Sequence, residues 1–104
     1  GSAALTADRL ASPKLPADAA RRGLQAARDF IAAAQPFDAA TLGGGLTAVG
    51  ESVTTNGKAG PFLGALRLAV TGQEVSPPVF ESIVALGRDR ALARLDTVIA
   101  KLEE

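Results

Sequence analysis

Between Pro16 and Gln35 the apolar residues return every three or four positions. Leu24, Ala27, Ile31 and Ala34 line one face, and Arg21, Arg22, Arg28 and Asp29 occupy the others. This spacing predicts an amphipathic helix. Pro16 suits its first turn, Asp18 sits where the helix dipole favours a negative charge, and Pro36 stops it. Upstream, Thr6 is a candidate cap for a short helix running toward Leu10. Ser12-Pro13-Lys14-Leu15-Pro16 then breaks the chain, because two prolines disfavour helix in the residues before them.

Asp38 is a good cap for the next helix, whose stripe is Leu42, Leu46, Val49 and Val53. Gly43-Gly44-Gly45 interrupts it, at roughly 1 kcal/mol per glycine relative to alanine. The segment from Thr54 to Gly60 reads as a loop. Asn56-Gly57 is also a hairpin-turn signal, but its flanks do not alternate cleanly. From Pro61 to Thr71, Phe62, Leu63, Leu66, Ala69 and Val70 share a face. Leu66 to Val70 could locally pass for a strand, yet length and spacing favour helix, with Gly72 just past its end. Ser76-Pro77-Pro78 opens the next helix, with Val79, Phe80, Ile83 and Val84 on its buried edge and Gly87 as its end. The last helix starts near Arg88 and carries the clearest stripe: Leu92, Leu95, Val98, Ile99 and Leu102. Short linkers between amphipathic helices predict a single all-α domain. Gly1-Ser2 reads as a scar of tag removal, which leaves residues 3–104 as the domain proper.

Composition narrows the chemistry. The 104 residues contain neither Cys nor His. Disulfides, Ser-His or Cys-His nucleophile pairs and a structural zinc site are therefore not expected. No apolar run has the length of a membrane span, and no signal-peptide pattern opens the chain. The formal net charge is zero, whereas a free-standing nucleic-acid binder is usually basic. Gly43-Gly44-Gly45 is no phosphate loop, because Leu46-Thr47 follow where Lys and Ser or Thr are required; it reads as a flexible or kinked stretch of helix. The carboxylates are scattered, with no paired acid and base. Arg88, Arg90, Arg94 and Lys101 lie on or near the last helix, with Arg67 upstream. The plain reading of this set is a solvated helix surface with local pairs to Asp89, Asp96 and Glu103.

One set of blocks changes that balance. Leu66-Arg67-Leu68-Ala69-Val70-Thr71-Gly72 is followed by Ser76-Pro77-Pro78-Val79-Phe80-Glu81. Leu86-Gly87-Arg88-Asp89-Arg90 and Ala91-Leu92-Ala93-Arg94-Leu95 come next, near the chain end. Together they resemble the C-terminus of bacterial glutamyl-tRNA synthetases, where a "PLRxALTG" block, a Pro and Phe-Glu block and "LLGKERxLxRL" occur in this order. The resemblance is strongest over residues 61–104; residues 3–60 fit in length and helical character. Ala65 stands where the family often has Pro.

The resemblance implies a compact multi-helix anticodon-binding domain of a class I aminoacyl-tRNA synthetase, acting within a glutamate–tRNA ligase. It implies Arg67, Ser76, Pro77, Val79 and Phe80 as anticodon contacts. Arg88, Arg90 and Arg94 are the candidates for RNA-backbone contacts. Single-stranded bases are read by stacking and by hydrogen bonds to their edges. Arg67 offers a planar fork, Ser76 a small donor and acceptor, and Pro77, Val79 and Phe80 apolar surface. The competing reading of Val79 and Phe80 is that they are core. The implied partners are the anticodon of a glutamate tRNA and the remaining domains of the synthetase, with no membrane, in a cytoplasmic monomer. No cofactor is expected here, since ATP and Mg would belong to the catalytic domain of the parent. Without His the "HIGH"-like motif of that domain cannot be present, so this chain alone is expected to catalyse nothing. The alternative function is a helical protein-interaction module with no RNA role, which the zero net charge favours.

Overall fold

The computed structural model describes residues 10–72 and 78–103. Helices α1 (Ala17–Ala33), α2 (Ala39–Val53), α3 (Gly60–Thr71), α4 (Val79–Leu86) and α5 (Arg88–Leu102) follow one another. No strand occurs among the described residues. A single antiparallel bridge pairs Ser12 with Leu15 through two backbone hydrogen bonds of 2.9 Å, closing a turn over Pro13-Lys14. That turn drives the Leu15 side chain fully into the core. The Thr55 amide donates to the Lys14 carbonyl at 2.9 Å, so the turn is tied to the α2–α3 loop. Of the short helix predicted from Thr6 toward Leu10, only Leu10 is among the described residues, where it is helical and buried.

The helix ends follow from local backbone chemistry. Pro16 caps α1, and its carbonyl accepts from the Ala20 amide at 2.8 Å. Ala34 leaves the helix with ψ 131°, two residues before Pro36. The Asp38 carboxylate accepts the Thr41 amide at 2.8 Å, which satisfies one orphan donor at the start of α2. Gly72 closes α3 in the left-handed region at φ 75°, with its amide donating to the Leu68 carbonyl at 2.8 Å. Gly87 joins α4 to α5 as a single residue at φ 95°, a value that an L side chain would strain. Ser76 and Pro77, expected to open α4, lie outside the described residues; Pro78 occupies its cap.

The predicted interruption of α2 is absent: the helix runs unbroken through Gly43-Gly44-Gly45. Two of these glycines are seats for aromatic rings. A Cβ on Gly43 would lie 3.4 Å from the Phe80 ring, and one on Gly45 would overlap the tip of Phe30. Gly23 of α1 does the same for Phe62, whose Cε1 would be 2.6 Å from an added Cβ. Three of the chain's four phenylalanines therefore pack onto bare helix backbone. At Gly45 and Gly23 the propensity lost is offset by ring contact that a methyl would prevent, whereas a methyl on Gly43 would reach the Phe80 ring at ordinary contact distance.

α3 is the central helix and packs against all four others. Phe62, Ala65, Leu66, Leu68, Ala69 and Val70 are all buried, so its sides are covered almost all round. This explains the strand-like run Leu66 to Val70: a helix buried on most faces loses its three-and-four pattern. α1 lies across α2 and α5, its predicted face of Leu24, Ala27, Ile31 and Ala34 fully in the core. On α5 the stripe turns slightly from expectation: Ala91, Leu95, Val98 and Ile99 are buried, while Leu92 and Leu102 are half-buried at its edges.

Candidate nucleic-acid interface

Arg67 sits on α3, four residues before the Thr71 end, and is half-buried. Its Nε is enclosed and has no hydrogen-bond partner. The Thr71 hydroxyl donates to the Arg67 carbonyl at 2.7 Å, locking the backbone turn beneath it. A guanidinium so placed is in an unusual condition. The fold leaves part of its donor set unspent, and burying an unpaired donor costs free energy unless a ligand or water meets it.

Val79 and Phe80 open α4, which packs against α3. Val79 is 3% exposed and belongs to the core cluster. Its burial matches the competing reading of Val79 as core. Phe80 is half-buried, with one part of its ring against Gly43 and the rest outside the core. It combines both readings made from the sequence: it packs, and it keeps an accessible portion. Ser76 and Pro77, between these helices, are not among the described residues.

The basic residues of α5 separate into different roles. The Arg88 guanidinium donates to the Ala34 carbonyl and lies over the Phe37 ring, 4.9 Å from its centroid. It is a clasp between the end of α1 and the start of α5, and its Nε is left without a partner. Arg94 donates from Nη1 to the Val70 carbonyl at 2.8 Å, and is likewise engaged within the fold. Arg90 is exposed, and among the described residues it forms no ion pair. Arg94 is exposed as well, but of the three only Arg90 has no side-chain bond within the fold among the described residues.

Other arginines are balanced by acids. Arg28 of α1 reaches Asp96 of α5 with two bonds, 2.9 Å from Nε and 3.5 Å from Nη2, and this pairing raises its pKa further above the usual guanidinium value. Arg22 and Arg21 hold the Asp18 carboxyl below the usual carboxylate range, chiefly through their hydrogen bonds. The Asp38 carboxyl is also held low, first by the Thr41 amide that it accepts. Beside Arg94, an open groove of about 370 Å³ is lined by Ala69, Gly72, Ala93, Thr97 and Val98. Among the described residues no group of three or more acids is arranged to hold a metal ion, and no helix is long and apolar enough to cross a membrane.

Residues 4–99 match the anticodon binding domain family. The chain belongs to that family. It is 42% identical over 89 residues to a glutamate–tRNA ligase of Roseiflexus castenholzii, covering 86% of this chain and 17% of the relative. A glutamate–tRNA ligase of Dehalococcoides mccartyi is 36% identical over 95 residues, which covers 91% of this chain and 19% of the relative. One from Streptomyces griseus is 42% identical over 79 residues, or 76% of this chain and 15% of the relative. The chain thus spans less than a fifth of the length of these relatives. No solved structure shows significant similarity to it.

Within this anticodon binding domain, Arg67 keeps an unpartnered donor and Phe80 keeps accessible surface. The sequence blocks located both helices that carry them. They did not foresee the seat of Phe80 on Gly43, although three glycines inside an otherwise regular stripe were the available signal. Nor did they foresee that Arg94 bonds a carbonyl on α3, since that donor and acceptor are 24 positions apart.

Proposed function

We propose that this domain reads the anticodon of a glutamate tRNA as the C-terminal module of a glutamate–tRNA ligase. The observation that carries the reading is the family match across residues 4–99, joined to relatives named glutamate–tRNA ligases of which it covers under a fifth. The unspent guanidinium of Arg67 and the accessible part of Phe80 support it chemically: one donates to a base edge or phosphate, the other stacks. Ser76 and Pro77 complete the contact set, and Arg90 meets the backbone. In this reading the domain works in the cytoplasm as a monomeric part of the synthetase. ATP and Mg act only in the parent's catalytic domain.

Binding by the isolated domain is weak. With zero net charge it neutralises few phosphates, each contributing a salt slope of only about −0.7 for a single strand. Stacking adds roughly 1–3 kcal/mol per base. One or two such contacts give affinities of about millimolar to high micromolar. The test is titration of isotope-labelled domain with a glutamate-tRNA anticodon stem-loop. Amide shifts are expected to cluster at Arg67 and from Ser76 to Phe80, and Arg67→Ala diminishes them. Shifts confined to the helix bearing Arg21, Arg22 and Arg28, or an unaltered response in Arg67→Ala, would remove Arg67 from the site.

A further inference from the structure

We propose that Arg94 is a positioning residue for RNA recognition. Its guanidinium holds the last turn of α3, and with it the direction of Arg67 and the exit of the chain at Gly72. The proposal rests on the anticodon-reading role above.

The final carbonyls of a helix have no partner inside it. Near the end of α3 three carbonyls accept bonds from outside the helix ladder, and two of them, those of Leu68 and Val70, are among its last four. The Arg67 carbonyl accepts the Thr71 hydroxyl at 2.7 Å, and the Leu68 carbonyl accepts the Gly72 amide at 2.8 Å. The Val70 carbonyl accepts Arg94 Nη1 at 2.8 Å, from a residue 24 positions further along the chain. The first two bonds are local and fray together with the turn. The third is the only one of these that ties the turn to another helix. It is charge-assisted, and it sets a cation at the negative end of the α3 dipole.

The consequence reaches Arg67 through the backbone. Val70 lies three residues after Arg67, close to one turn of helix. Arg67 Nε has no partner in the fold, so no bond at that atom fixes where its guanidinium points. Its direction follows the backbone of the last two turns of α3, which Arg94 anchors. The chain then leaves at Gly72 and re-enters at Pro78, so the same anchor sets one end of the connection carrying Ser76 and Pro77. Arg94 also lines the open groove with Ala69, Gly72 and Val98.

A phosphate contact and an anchor predict different things. Wild-type domain, Arg94→Ala, Arg94→Lys and Arg90→Ala should be titrated with the anticodon stem-loop across a salt series, with amide hydrogen exchange followed in the free proteins. Arg94→Ala is expected to weaken binding about tenfold, the scale of one hydrogen bond to a charged group. The slope of log affinity against log salt stays at the wild-type value, and exchange at Thr71 and Gly72 accelerates. Arg94→Lys, which keeps a donor, recovers most of the affinity. Arg90→Ala reduces the salt slope instead and leaves exchange alone. Should Arg94→Ala fail to fold by circular dichroism, Arg94→Met removes the donor while keeping the groove wall and carries the same comparison. Wild-type binding that neither deletion weakens overturns this proposal alone. So does a loss accompanied by a slope smaller by about 0.7 with unchanged exchange, which would make Arg94 a phosphate ligand. No binding by the wild-type domain overturns the anticodon-reading role, and this proposal with it.

Discussion

Arg88 shows how much a single side chain can contribute when its partners lie far apart in sequence. It bridges the Ala34 carbonyl at the end of α1 and the Phe37 ring before α2. Both partners would be left uncovered by truncation. Arg88→Ala is expected to destabilise the domain by about 2–4 kcal/mol, the sum of a charge-assisted hydrogen bond and a cation–π contact. Arg88→Lys should recover only part of this, because an ammonium lacks the planar fork that donates and stacks at once. Urea denaturation midpoints of the three proteins measure the effect. An Arg88→Ala midpoint equal to wild type would return Arg88 to the surface set.

At the scale of elements, α2 carries the sharpest contrast. Gly44 is exposed and an added Cβ meets nothing within 4 Å, whereas one on Gly50 comes within 3.0 Å of the Ala59 Cα. Gly44→Ala should therefore gain the full helix propensity, about 0.5–1 kcal/mol. That gain raises Tm by about 2–8 °C. Gly50→Ala presses on backbone that cannot rotate away, and should lower stability by about 1–3 kcal/mol despite the same gain in propensity. Thermal unfolding of the pair reads both signs in one experiment. A higher Tm for Gly50→Ala would mean that the α2–α3 loop yields, and the close packing of Ala59 would lose its significance.

For the whole molecule the absence of His makes the pH response simple. No side chain with an ordinary pKa between about 5 and 8 is present, so stability should stay level across that interval. Asp18 and Asp38 have carboxyls held below their ordinary range, by Arg22 and Arg21 in one case and by the Thr41 amide in the other. A folded pKa below the unfolded one stabilises the protein above the unfolded value and ceases to do so as pH falls through the folded one. Thermal unfolding midpoints should accordingly be flat at neutral pH and decline below about pH 4. Asp38→Asn keeps an acceptor at the cap and should soften the decline, and the Asp18 share should shrink with added salt because its ion pairs are exposed. A decline beginning near pH 6 would point to a different titrating group.

The order and type of the helices were legible in the chain because their ends are set locally. Pro16, Pro36, Gly72 and Gly87 act on their own backbone, and Asp38 caps three residues on. The face of α1 was equally plain, since one side of it stays in solvent. The blocks from Leu66 to Leu95 likewise carried the family, for they hold their order and spacing in the chain itself. What only the tertiary structure decided depends on where one helix meets another. Gly43 and Gly45 read as breaks until Phe80 and Phe30 were seen against them. Arg88, Arg90 and Arg94 are alike by residue type; one clasps Ala34 and Phe37, one faces solvent, and one anchors Val70. Val79 and Phe80 are neighbours on a short helix, yet the first is core and the second is half outside it. Periodicity gives the direction of a side chain relative to its own axis, but its partners are fixed only by the packing of the helices around it.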